Sequence, residues 1–150
     1  RGATLRLQPM IQAYLESDSL DIDILHAAIS PSRRMRIPEL SCNLIRSVMS
    51  VLHGAEVWSS RHKSLVRRVA ELATSELDEG TRSALGEMII ATVDEDESRA
   101  KRVKTVRAAI IVGGVETTML ISDEILAMKA LGWEEADQLQ RHFNHRFKRA

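Results

Sequence analysis

The sequence predicts an all-α fold, a compact bundle of about six to eight helices packed around one buried central helix. Three observations carry that expectation. Apolar residues recur at helical spacing, as in Leu40, Leu44, Val48 and Leu52, which lines one face of a helix. Proline and glycine punctuate segments, with Pro9 and Pro38 at starts and Gly54, Gly80 and Gly132 just past ends, the asymmetry that helix termini favour. Aromatic residues are few, only Tyr14, Trp58, Trp133, Phe143 and Phe147, which disfavours β-sandwiches and the aromatic sheets on which RRM and OB folds stack bases. A chain of 150 residues fits a single domain, 1–150, able to bury a core without a metal or disulfide.

The elements follow in order. Pro9 opens a short helix that ends near Ser17-Asp18-Ser19. A second helix runs from Asp21 to Ile29 and is stopped by Ser30-Pro31-Ser32, leaving Arg33-Arg34-Met35-Arg36 as a basic loop before Pro38. Pro38 starts the central helix, which ends at Gly54 and has Arg46 as its only formal charge between Glu39 and His53. It is expected to be buried nearly all round. The next helix spans about 60–79, with Val66, Val69, Ala73 and Leu77 on one face and Gly80 after its end. Thr81 caps a shorter helix to about Thr92, and the acidic run Asp94-Glu95-Asp96-Glu97 starts another that carries Val103, Val106 and Ile110. Gly113-Gly114 breaks it, a helix follows to Leu131, and a last helix holds Leu139, Phe143 and Phe147. The competing reading of 109–121 is a β-hairpin turning at Gly113-Gly114, which would make the fold α+β. A glycine pair between helices also permits close backbone approach.

Charge is sorted in blocks within a chain whose 21 bases and 21 acids cancel. Arg99, Lys101, Arg102, Lys104 and Arg107 follow directly on the acidic run. A helix beginning in that run would pair Glu95 with Arg99 and Glu97 with Lys101 at i,i+4, and the cations would spread round it. Along 60–79 the order is reversed. Arg61, Lys63, Arg67 and Arg68 come first, then Glu71, Glu76, Asp78 and Glu79, against the helix dipole at a cost of a few tenths to about 1 kcal/mol per exposed charge. Such a helix suits a charged protein contact, including an antiparallel contact with a second copy. Arg33, Arg34 and Arg36, between two prolines and away from acids, are the strongest candidates for a phosphate contact.

Signatures of chemistry are weak. His142 and His145 are three apart, but flanking Arg141 and Arg146 disfavour a dication, so no metal is expected. His26, His53 and His62 are isolated, and Gly113-Gly114 lacks the spacing of a nucleotide-phosphate loop. The single Cys42 lies in an apolar stretch, where a structural thiol in a reducing, intracellular compartment, cytoplasmic or nuclear, is expected. No apolar run reaches the ~18 residues of a membrane span. The absence of an initiator Met at Arg1 reads as a processed product or excised domain.

These features point to a non-enzymatic, self-associating protein-interaction and assembly module, with Arg61, Lys63, Arg67, Arg68, Glu71 and Glu76 as its contact. The alternative is a non-specific RNA- or DNA-binding, nucleoprotein-like domain using Arg33, Arg34, Arg36, Arg99, Lys101, Arg102, Lys104 and Arg107. A third reading is peripheral binding to an anionic membrane, as in helical matrix-type proteins. No cofactor and no small-molecule substrate are expected. The zero net charge weighs against both anionic partners unless the fold gathers basic blocks on one side.

Overall fold

Residues 7–94 and 96–147, which the computed structural model describes, form eight α-helices, with no strand among them. The fold is all-α and the hairpin alternative fails. Ala109 to Val112 complete a helix, and Val115–Thr117 is a 3₁₀ turn leading into the next. Gly113 and Gly114 both have negative φ, whereas a two-residue hairpin turn of type I′ needs positive values at both positions.

Packing divides the chain into two compact units, Arg1–Leu77 and Asp78–Ala150. In the first, α1 (Gln8–Leu15) has Pro9 in its first turn, and the Asp21 carboxylate caps α2 (Ile22–Met35) by accepting from the Asp23 and Ile24 amides. The expected stop at Ser30-Pro31-Ser32 does not occur, because α2 runs through Pro31. Proline forfeits one helical hydrogen bond and crowds the preceding turn. Burial of Leu25, Ala28, Ile29, Ser32 and Met35 along one face holds the helix together past it. The segment 33–36 is therefore not a loop. Only Arg36, in the left-handed region at φ 54°, turns the chain toward α3 (Pro38–His53).

Helix α3 is central to this unit and packs against α1, α2 and α4 (Ser60–Val69). Leu40, Leu44, Ile45, Val48 and Leu52 are buried, but Glu39, Arg46, Ser50 and His53 are exposed. Their spacings of 7, 4 and 3 residues define a solvent stripe, so α3 is amphipathic and not buried all round.

The expected single helix over 60–79 is broken up. Helix α4 ends at Val69, a 3₁₀ turn covers Ala70–Leu72, and α5 (Glu79–Ala91) begins after the Asp78 cap. Asp78, not Thr81, is the N-cap, accepting from the Thr81 amide at 3.0 Å and its hydroxyl at 2.7 Å. The reversed dipole order is reduced by this division, although Arg61 stays in the first turn of α4, where Asp23 pairs with it. Arg67 and Arg68 fall in the last turn of α4, and Glu79 falls in the first turn of α5, where each charge is favoured.

In the second unit, α6 (Arg99–Val112) is the core helix, burying Val103, Val106, Ala109, Ile110 and Val112. It packs on α5, α7 (Thr118–Ala130) and α8 (Glu135–Phe147). Ser98 caps it, so the acidic run precedes the helix instead of forming its first turn. Glu97 thus sits outside the helix, and the Glu95 pairing lies outside the described residues. The paired glycines work as a close-approach device. A Cβ on Gly114 would lie 2.2 Å from Ser83 Oγ, and one on Gly86 would lie 2.9 Å from the Gly113 Cα. The turn is held by the Val115 amide donating to Glu79 Oε1 at 2.6 Å, Arg82 donating to the Val112 carbonyl at 3.1 Å and Arg146 donating to the Gly113 carbonyl at 2.9 Å.

Candidate functional site

Part of the basic and acidic set singled out by sequence is committed inside its own unit. In the first unit Arg33 Nη1 lies 2.8 Å from Glu71 Oε1, and Arg68 approaches the other oxygen at 3.6 Å while donating to Ser30 Oγ at 3.1 Å. Arg61 pairs with Asp23 at 2.6 Å. The intended contact face of Arg61, Arg68 and Glu71 is thus stitched into the α2–α4 packing. The phosphate cluster of Arg33, Arg34 and Arg36 loses Arg33 to Glu71, leaving Arg34 and Arg36 exposed. Lys63 is half-buried, and Glu76 is exposed in the turn after the 3₁₀ segment. Arg67 is half-buried on α4.

The block from Arg99 to Arg107 splits into two sets. Arg99 forms a forked pair with Glu135 on α8, with Nη2 at 2.6 Å and Nε at 3.1 Å from both oxygens. That hydrogen bond holds the Glu135 carboxyl below its ordinary range and raises the Arg99 guanidinium above its own. Arg102 is 7% exposed and reaches Glu124 on α7 at 3.4 Å. Both guanidiniums lie over the Trp133 ring, 5.1 and 5.6 Å from its centroid, a favourable cation–π arrangement. Arg99 and Arg102 are therefore structural, joining three helices. Lys101, Lys104 and Arg107, three residues apart, line the outer side of α6.

Three arrangements were not visible in the sequence. Arg107 meets Gln138, Arg141, His142 and His145 of α8 around a surface cavity of about 410 Å³. No carboxylate lines it, and among the described residues Arg107 and Arg141 have no acidic partner. The signal was present in part, because 138, 141, 142 and 145 have i, i+3, i+4, i+7 spacing on one helix face. The arginines that disfavour a metal at the histidine pair favour an anion.

The second arrangement is apolar. Met119 and Leu126 are 77% and 58% exposed, and at 100° per residue they lie within about 20° of one another on α7, while Val115, 66% exposed, precedes them in the 3₁₀ turn. Ile121, Ile125 and Met128 fill the inner side of α7, so this helix is apolar on two faces. The sequence showed only a continuous apolar pattern.

The third lies in the first unit, where Asp23, His26, Arg61 and Ser64 line a cavity of about 270 Å³ with Ile22 and Ala27. His26 Nε2 is 3.3 Å from Ser64 Oγ, but Asp23 is held by Arg61. The pair thus lacks the oriented acid that activates a serine nucleophile. Among the described residues no group of three His, Cys, Asp or Glu side chains is placed to hold a metal, and no helix is long and apolar enough to cross a membrane. No protein-family model, no curated protein and no solved structure matches the chain.

Proposed function

We propose that the protein is a non-enzymatic assembly module that self-associates through the outer face of α7. The observation that supports this is the exposed pair Met119 and Leu126 on a helix already apolar on its inner side, with Val115 exposed in the turn before it. Contiguous exposed apolar patches on a folded domain mark contact surfaces. Burial of each large side chain contributes about 1.5–3 kcal/mol. The contact moves from the charged α4 face, where Arg61, Arg68 and Glu71 already have partners, to an apolar one.

The pair suits a two-fold contact with an antiparallel second copy. An axis midway between Ser122 and Asp123 brings Met119 level with Leu126 of the other copy, so the same patch serves both sides. The axis also places Asp123 near its own counterpart, a like-charge contact that salt screens. Association of this kind strengthens as salt rises, whereas a charge-paired α4 contact weakens.

Sedimentation or light scattering across a concentration series tests the reading. The expected result is a mass that rises with concentration, more steeply at high salt, and that stays monomeric in Met119→Glu with Leu126→Glu, whose helical circular dichroism is unchanged. A concentration-independent monomer at all salts overturns it.

A further inference from the structure

We propose that the cavity between α6 and α8 binds a nucleoside phosphate unit of a single-stranded nucleic acid. The site is independent of the α7 contact, and its charge is the first argument. The arginine pairs Arg33/Arg68, Arg61, Arg99 and Arg102 each face a carboxylate of their own unit. At this cavity two arginines and two histidines converge with none. Gathering like charges costs free energy at the separations across such a cavity, and an external anion offsets it. A dication is excluded on the same ground.

Size and lining narrow the ligand. About 410 Å³ lies within the range of small-ligand pockets, about 300–1,000 Å³, and leaves room beyond a phosphate group. Imidazole rings and guanidinium planes are surfaces on which bases stack. The Gln138 amide carries both donors and an acceptor for a base edge. The phosphate falls to Arg107 and Arg141, and the base to His142 and His145.

The neighbouring surface extends the site into a track. Lys101 and Lys104 continue the exposed face of α6 beyond Arg107. Six residues of helix span about 9 Å, the axial length of two to three nucleotides at about 3.4 Å each. A duplex presents phosphates to such a track, but its paired bases stay stacked and leave the cavity unfilled.

Fluorescence anisotropy of a labelled oligouridylate at 50 and 200 mM salt tests this, with an RNA duplex of equal length as competitor. Three phosphates, one at the Arg107 and Arg141 pair and one each at Lys101 and Lys104, give a log–log salt slope near −2.1 for a single strand, about an 18-fold weakening over that range. Removing the one at the arginine pair, by Arg107→Ala with Arg141→Ala, brings the slope to about −1.4 and the weakening to about 7-fold. Arg141 is exposed, so Arg141→Ala alone tests the slope without risk to folding. His142→Ala with His145→Ala is expected to lower affinity about 5- to 100-fold with a smaller change in slope, and the paired Phe substitutions to restore it. No binding at 50 mM salt overturns the proposal. So does duplex binding as tight as the single strand, or histidine variants without effect, since either result reduces the site to a bare phosphate contact.

Discussion

Replacing Gly86 by alanine isolates the close approach on which the second unit is built. In an exposed helix the change stabilises by about 1 kcal/mol, because glycine loses more backbone entropy on folding. At Gly86 the new Cβ would lie 2.6 Å from Thr117 Oγ1, 2.7 Å from its Cγ2 and 2.9 Å from the Gly113 Cα. Thr117 is fully buried, and its hydroxyl donates to the Ser83 carbonyl while accepting from the Gly114 amide. Rotating it exchanges one branch for the other against the same Cβ, and the Gly113 contact is backbone. Overpacking costs about 1–3 kcal/mol, and disturbing a buried hydrogen-bonded hydroxyl costs about 1–3 more. After the propensity gain these figures leave a net destabilisation of about 1–5 kcal/mol, centred near 3.

Urea unfolding measures it. Trp58 lies in the first unit and Trp133 in the second, so Trp58→Phe leaves Trp133 to report the second unit alone. With a slope of about 1 kcal/mol per molar urea for a unit of this size, the midpoint falls by about 3 M. Gly80→Ala is the control, because its Cβ meets only Asp78 Oδ2 at 3.5 Å, and the midpoint is expected to rise by about 0.5 M. A Gly86→Ala protein that unfolds at the parent's urea concentration or above it refutes the reasoning.

Two further outcomes follow from the same structure. Pro31→Ala restores an amide donor within α2 and is expected to stabilise the first unit by about 1–3 kcal/mol, read by Trp58 fluorescence in a Trp133→Phe background; a lower midpoint would show that the proline is favourable where it stands. The Glu135 carboxyl is held below its ordinary value by Arg99, so its contribution is full above the unfolded carboxylate range and is lost as pH falls through the lower folded value. Glu135→Gln should therefore narrow the difference in stability between neutral and acid pH, measured by thermal unfolding; an unchanged pH profile would dismiss the pair as an energetic contact.

Local punctuation was legible because its causes lie within a few residues. Pro9 and Pro38 open helices, Gly132 at φ 76° closes one, and Gly113-Gly114 separates two helices through close backbone approach. Where sequence reasoning failed, either a packed face overrode a local signal or a neighbouring residue supplied the cap instead. Pro31 was carried through by five buried neighbours on one helix face, and Thr81 yielded to Asp78, three residues upstream.

The destination of each charge was not local at all. Arg33 finds Glu71 across 38 positions, and Arg99 finds Glu135 across 36, so no count of bases in a block could tell which were consumed internally. The sequence by itself determined that the chain is helical, where most helices start and stop, and that its charge is uneven. Only the tertiary structure decided which cations stay unpaired and which apolar residues on α7 face solvent. A helix of known boundaries has a fixed order of faces, but which face is covered depends on what other helices pack against it.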